Sequence, residues 1–249
     1  MATVYKLPLS RVYDDHEPIH AVANTITSSF TEDPLICWLR PLADPWSVID
    51  PNTSKWQYRR VQRAVAEGIV LRAATVREIG QGFEKDGEAY EGLNVEQDAG
   101  AVALLFPPRG RCRWSLGRML LLWKLWFLDI LRPVYERGAN EKRLQILMDA
   151  HNRVIANVQQ KYYVPDLWYL EVIAVHPHLQ GRGLGRKALC SVLDHTSNGP
   201  VILECTRQDN VAFYERMEFK VVEEVELEES GAAVKLWFML RQGSTAKAN

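Results

Sequence analysis

Two stretches concentrate the residue types that can do chemistry. The first runs Glu171-Val172-Ile173-Ala174-Val175, His176-Pro177-His178-Leu179, Gln180-Gly181-Arg182-Gly183-Leu184-Gly185, Arg186-Lys187-Ala188-Leu189. It reads as strand, turn, glycine-rich loop and helix. Three glycines let the main chain approach a ligand closely. A helix that begins there points free N–H groups and the positive end of its dipole outward. That arrangement suits an anion, a phosphate or pyrophosphate above all, and Arg182 and Arg186 add charge. A turn that merely needs positive φ angles would use the same glycines. Two nucleotide motifs fail on spacing: Gly181, Gly183 and Gly185 are G-x-G-x-G, not G-x-G-x-x-G, and Gly185 is not followed by Lys-Ser/Thr. His176 and His178 flank Pro177 without a cysteine or carboxylate cluster, so they read as turn residues and no metal is expected. Glu171, a charge inside a strand otherwise of Tyr, Leu, Val and Ile, is either a functional carboxylate sharing a face with Ile173 and Val175 or an ordinary polar-facing position. The second stretch is Asn210-Val-Ala-Phe213-Tyr214-Glu-Arg-Met217-Glu218-Phe219.

These residues need a frame. Trp168–Val175 is rich in aromatic and β-branched residues and predicts a strand. Leu184, Ala188, Leu189, Val192 and Leu193 form one apolar stripe, predicting a helix over 183–195. Strands are further expected at 3–9, 75–80, 98–106, 201–205, 219–226 and 233–240, the last two joined near Ser230-Gly231. Helices are expected at 15–30, 54–72 and 209–217, the last with Asp209 as N-cap. Asp33-Pro34, Asp44-Pro45 and Asp50-Pro51 mark turns. Residues 112–163 predict a long helical segment divided at Pro133. Trp114, Trp123, Trp126 and Phe127 lie in its first half. This stripe is apolar nearly all round, which favours burial over membrane contact. The organisation expected is one domain over 1–242, with 112–163 as a helical insertion and 243–249 as a polar, disordered tail.

Composition narrows the function class. The chain has 249 residues, 47% hydrophobic and 24% charged, the mixture of a folded protein rather than a disordered one. Thirty Lys and Arg against 31 Asp and Glu leave a net charge of −1, so no global positive field holds nucleic acid. The longest apolar run near Met119–Leu131 is cut by Lys124 and Asp129, far short of the roughly 20 residues that cross a bilayer. Lys6, Arg11, Asp14 and Asp15 exclude a secretory leader. Cys37, Cys112, Cys190 and Cys205 are dispersed, as expected of reduced thiols in the cytoplasm.

The first stretch resembles the acetyl-CoA loop of the GCN5-related N-acetyltransferases, Q/R-x-x-G-x-G/A, matched by Gln180, Gly183 and Gly185. The second is similar to that family's N-x-x-A/F-x-x-x-Y/F-E-K/R-x-G-F segment. Together the two cover 167–222. Glu218 departs from the family's glycine before Phe219. Tyr169-Leu170 and the overall pattern look similar to fungal and actinobacterial enzymes of the puromycin-acetyltransferase type, so antibiotic or xenobiotic detoxification is one expectation.

The resemblance implies an α/β (α+β) fold: a mixed, mostly antiparallel sheet of about seven strands, splayed between the fourth and fifth, with the helical insertion between the third and fourth. It implies acetyl-CoA as cosubstrate, held by main-chain groups of Ile173, Ala174 and Val175 and by Gln180, Gly181, Arg182, Gly183, Leu184, Gly185 and Arg186, with Asn210 and Phe213 beside them. Tyr214 takes the place of the general acid, or only packs against the pantetheine arm. Glu171 takes the place of the base. Phe30, Glu32, Asp33 and Trp38, with Trp123 and Trp126 of the insertion, are the candidates to wall a pocket for a small amine acceptor. The alternatives are a peptide or protein lysine acetyltransferase and an acetyl-CoA-binding module without turnover. Oligomeric state stays open.

Overall fold

The computed structural model describes residues 6–41, 44–80, 95–108, 111, 115–136 and 138–243. Seven strands form one sheet: β1 (Ser10–Arg11), β2 (Ile69–Arg72), β3 (Ala101–Phe106), β4 (Trp168–Val175), β5 (Val201–Cys205), β6 (Lys220–Glu229) and β7 (Ala232–Arg241). Their spatial order is β1-β2-β3-β4-β5-β7-β6. Every neighbouring pair is antiparallel except β4 and β5, which run parallel. The helices are α1 (His16–Ser29), α2 (Pro34–Leu39), α3 (Pro51–Glu67), α4 (Val76–Gly80), α5 (Leu116–Leu131), α6 (Glu141–Lys161), α7 (Leu184–His195) and α8 (Gln208–Glu215).

Two of the three Asp-Pro steps start helices. Asp33 Oδ1 accepts from the N–H groups of Leu35 (3.0 Å) and Ile36 (3.2 Å), and Asp50 does the same for Asn52 and Thr53. Proline follows each cap at the first helical position, where its missing N–H costs nothing.

Several boundaries differ from expectation, each for a local reason. The helix expected over 54–72 starts at Pro51 and stops at Glu67. Gly68 intervenes, where a Cβ would lie 2.8 Å from the Leu105 carbonyl oxygen, and Ile69–Arg72 then pairs with β3. The strand expected at 75–80 is instead α4. Thr75 N–H donates to Glu78 Oε2 at 2.8 Å, and Glu78 N–H donates back to Thr75 Oγ1 at 3.3 Å. That is a capping box, and its T-x-x-E signature outweighs the β-branched residues around it. The first strand lies at Ser10–Arg11. Residues 6–9 of the expected 3–9 have no regular structure, and 3–5 lie outside the described residues. Asp209 is not the cap of α8, because Arg207 occupies that position. Of the expected tail, 244–249 lie outside the described residues.

Helices α7 and α8 cover one face of the sheet. Leu189, Val192 and Leu193 pack there with Leu105, Leu170, Leu203, Met217 and Phe219. The opposite face is covered by α1 and α3 over β2–β4 (Ile19, Val22, Val61 against Val102, Leu104, Val172) and by α2 and α6 over β5–β7 (Leu35, Val154, Val158 against Ile202, Leu236, Phe238).

One irregularity shapes the centre. Along β3–β4 the register runs Leu104↔Val172 and then Leu105↔Leu170, so Glu171 is the extra residue of a β-bulge. A bulge bends its strand and exchanges the faces of the residues beyond it. Trp168 and Leu170 pack under α7, but after the bulge it is Ile173 that packs on this side, while Val172 and Ala174 turn to α1 and α3. The parallel pairing with β5 ends at Leu170↔Leu203, immediately before the bulge. From there the two strands diverge.

Candidate active site

The opening between β4 and β5 has two faces. On the α7–α8 face, Gly181 (φ 75°) and Gly183 (φ 72°) adopt left-handed backbone, and Gly183 caps α7. The following N–H groups at the helix start have no partner within the helix and point to one side. A cavity of about 610 Å³ opens there, lined by Val175, Gly181, Gly183, Gly185, Arg186 and Phe213 among others. Its size is that of a cofactor or small-ligand pocket. Leu184 lines the cavity and is buried, whereas the Arg182 and Arg186 side chains are exposed.

Gln180 lines the same cavity and also braces the loop. Its Nε2 donates to the Val175 carbonyl at 3.0 Å, and Ser29 Oγ donates to the same oxygen at 3.2 Å. Gln180 therefore ties the loop to the strand that precedes it. His176 is buried in the turn, its Nε2 3.5 Å from Asp98, which also accepts from Asn24. Among the described residues no three His, Cys, Asp or Glu side chains gather as a metal site.

Main-chain direction along β4 follows from the ladder. His176 N–H donates to Gly100 O, so by alternation Ala174 directs its polar groups to β3, whereas Ile173 and Val175 direct theirs toward the missing β5 partner. Ala174 thus contributes no main-chain donor to the opening.

On the other face, Glu171 and Glu204 occupy the first positions past the last parallel pair, one on each diverging strand. The bulge turns Glu171 away from Ile173 and toward α3, where its Oε1 accepts from Arg60 Nη2 at 2.5 Å. Burial opposes the Arg60 charge, but the Glu171 carboxylate outweighs it and raises the guanidinium above its ordinary range. Glu204 Oε1 lies 2.6 Å from His151 Nδ1, and its Oε2 accepts from Tyr169 OH at 3.3 Å. Burial, then the charges of Glu204 and Glu171, push the Tyr169 phenol well up. Beside them, Glu136 bonds Trp46 Nε1 at 2.8 Å and lies 3.2 Å from Arg40; burial raises this carboxyl too. Acidic groups therefore crowd this side of the split.

Tyr214 lies on α8 beside Cys205 at the end of β5. Its ring packs edgewise on Phe213 (5.1 Å) and Phe219 (5.9 Å). Burial, then Cys205, raise its pKa, so the phenol holds its proton. Cys205 is itself a thiol: burial raises it, and its S–H is directed to Arg207 O at 3.1 Å. Asn210 lies exposed in the first turn of α8. Glu218 keeps the left-handed turn (φ 68°) for which glycine is better suited, and it pairs with Arg241.

The expected acceptor residues separate. Asp33 is buried at the rim, capping α2 while Oδ2 accepts from Thr206 Oγ1 at 2.5 Å; burial raises its pKa against those bonds. Phe30 packs on the α1–α3 core, and Glu32 is exposed in the turn beside it. Trp38 is a core residue: its Nε1 donates to Ala232 O and Arg143 stacks on its ring. Trp123 and Trp126 are on the outer side of α5, 75% and 66% exposed, rather than buried as the apolar stripe suggested. An all-round apolar helix suggested burial, yet only Leu121 and Leu125 of α5 are buried.

The sequence reading missed Arg60, Glu204 and His151. Glu204 carried the same signal as Glu171, a charge inside the apolar run Val201-Ile-Leu-Glu-Cys. His151 lies 53 residues away from Glu204, and no local pattern joins them.

Residues 143–221 match the model of the acetyltransferase (GNAT) domain. Solved structures share the fold. Arylalkylamine N-acetyltransferase 2 of Aedes aegypti aligns with TM-score 0.56 and 14% identity over 94% of this chain and 98% of that one. The polyamine N-acetyltransferase of Drosophila melanogaster, which forms N-acetylagmatine, gives 0.53 and 13% over 94% and 99%. A histone acetyltransferase HPA2 and related acetyltransferase from Corynebacterium glutamicum gives 0.53 and 14% over 96% and 99%. Over residues 143–221 the chain is similar to the acetyltransferase domain of the GNAT superfamily, and this match, with the shared fold, supports an acetyl-CoA-dependent N-acetyltransferase. No helix among the described residues is long and apolar enough to cross a membrane.

Proposed function

We propose that the protein acetylates a small, cationic amine by direct transfer from acetyl-CoA, in the cytoplasm. The observation that carries this is the pair Glu171 and Glu204, one on each diverging strand, on the face opposite the glycine loop. Two carboxylates at a narrow opening attract an ammonium group. The polyamine and arylalkylamine enzymes of the same fold, and the likeness of Tyr169-Leu170 to the puromycin-acetyltransferase type, point to the same acceptor class.

In this reading the N–H groups at the start of α7 hold the pyrophosphate, and the main-chain groups of Ile173 and the N–H of Val175 receive the pantetheine arm as an added strand. The amine enters from the α1, α3 and α6 side. His151, its Nδ1–H fixed by Glu204, presents Nε2 as the base that takes the amine proton. The neutral nitrogen attacks the thioester carbonyl, and a main-chain N–H of the splayed strand steadies the oxyanion. The C–S bond breaks as Tyr214 protonates the departing sulfur, leaving the N-acetyl amine and free CoA thiol. Glu171, paired with Arg60 at 2.5 Å, anchors the acceptor rather than taking its proton.

The glycine loop gives one expected result. Gly183→Asp places a carboxylate at the anion site; its side chain meets open space, while the left-handed backbone (φ 72°) strains any side chain there. CoA affinity measured by calorimetry should fall at least about tenfold, the equivalent of roughly 1.4 kcal/mol, with a somewhat lower melting temperature in a protein that still folds by circular dichroism. Unchanged affinity would remove the loop from the cofactor site.

The whole reading is tested by thiol release with diamines, arylalkylamines and a lysine peptide offered as acceptors. Small amines should be turned over in preference to the peptide. Preference for the peptide would establish a protein acetyltransferase, and CoA binding without turnover of any amine would establish a binding module.

A further inference from the structure

Helix α5 is built inside out. Its charged groups face the protein: Asp129 pairs with Arg59 and Arg63, Lys124 with Asp14, and Arg118 donates to the Gly68 carbonyl. Leu121 and Leu125 supply a narrow seam against Ala66 of α3. The outward arc is Leu116, Met119, Leu120, Trp123, Trp126, Phe127, Ile130 and Leu131, each between 45% and 79% exposed. No charge interrupts it along the full length of the helix.

We propose that this face packs, antiparallel, on the same face of a second copy of the chain. Three observations favour that occupant. Leu116, Leu120, Trp123, Phe127 and Ile130 recur at spacings of 4, 3, 4 and 3, the apolar seam by which one helix packs along another. Second, eight such side chains expose on the order of 100–200 Å² each at full exposure, an apolar patch approaching roughly 1,000 Å². A standard interface needs roughly 800 Å² per partner, so one helix supplies it. Third, the slender residues Leu116, Met119 and Leu120 occupy one half and the bulky Trp126 and Phe127 the other. A two-fold axis across the middle of α5 sets slender against bulky and makes the patch self-complementary. An anionic membrane fits less well, because it recruits a helix through free cations at the polar edge, whereas Lys124 and Arg118 are held by the protein itself.

Helix α5, the first half of the insertion, is then an assembly element, distinct from α6, which carries His151. Sedimentation equilibrium of the full chain at micromolar concentration should give twice the mass of one chain. Leu120→Glu puts two carboxylates into the apolar contact and should raise the dimer dissociation constant by about a hundredfold or more. Ile130→Lys should do the same. Mixing the two variants should restore a dimer, since antiparallel packing brings opposite halves of the helix together. Circular dichroism and CoA affinity should stay at wild-type values in both variants. A wild-type monomer at tens of micromolar, a dimer indifferent to Leu120→Glu, or no rescue on mixing overturns the proposal. A monomer that pellets with phosphatidylcholine–phosphatidylserine vesicles assigns the face to lipid instead.

Discussion

Tyr214→Phe should lower kcat by about 10²-fold, the lower end of the range for general acid catalysis, and leave acetyl-CoA affinity unchanged. The low end follows from the leaving group. A thiol of pKa near 8.5 departs as a tolerable thiolate, so proton donation assists its departure without being indispensable. Affinity should hold because phenylalanine keeps the ring contacts with Phe213 and Phe219 and removes only the hydroxyl. The sign of the Tyr214 pKa shift fixes its protonation state, although it also weakens the phenol as an acid. Burial and Cys205 raise it, so the phenol stays protonated throughout the pH range in which an amine becomes neutral. Tyr214 therefore adds no alkaline limb to the rate profile below its ordinary pKa of about 10. Cys205 is a poor substitute, with its S–H committed to Arg207 O. Steady-state kinetics with a good acceptor, beside calorimetry with CoA, give the answer. A fall in kcat of less than about threefold reduces Tyr214 to packing, since such a loss lies far below what an acid supplies.

The parts of this site that could be read directly are those whose signal is local. Gln180 to Gly185 fixes a helix start within six residues, and Trp168–Val175 is a strand by composition, so an anion-binding helix start was legible from spacing. The class of fold was legible through the resemblance that the same segments carry. What escaped depended on pairing. The bulge at Glu171 exists only because β3 and β4 shift register by one residue, and no property of Glu171 itself announces it. Its consequence is geometric: the bulge turns the carboxylate toward Arg60 and away from Ile173. The wrong assignments at 54–72 and 75–80 share a cause, a reading of apolar periodicity over punctuation. Gly68 and the Thr75–Glu78 capping box were both present in the sequence and both outweighed it. The placement of Trp123 and Trp126 erred differently. An apolar stripe specifies that something must cover it, but not whether the cover belongs to the same chain.

His151→Ala should produce the largest loss, about 10³-fold in kcat/KM near neutral pH. The magnitude has a simple origin. An alkylamine with a pKa near that of lysine, about 10.4, is neutral in only about one molecule in a thousand at pH 7.4. A base that removes the proton within the complex recovers most of that factor, which sits inside the range of general base catalysis. The expected signature is therefore a changed pH profile. In the variant, log(kcat/KM) should climb by about one for each pH unit toward the amine's own pKa, and the deficit against wild type should shrink as it does. A purely structural role for His151, as a ring resting on Tyr169 at 4.9 Å, would lower the rate by a constant factor and leave the slope alone. Glu204→Gln should follow the same pattern more weakly, because the amide still contacts Nδ1 but no longer favours the tautomer that leaves Nε2 open. Glu171→Gln should separate from both. It breaks the pairing with Arg60 and removes one of two anionic groups at the split, so KM for a cationic amine should rise while kcat changes little. If the slope change appears in Glu171→Gln and is missing in His151→Ala, the base is the bulge carboxylate after all, and Arg60 serves to position it.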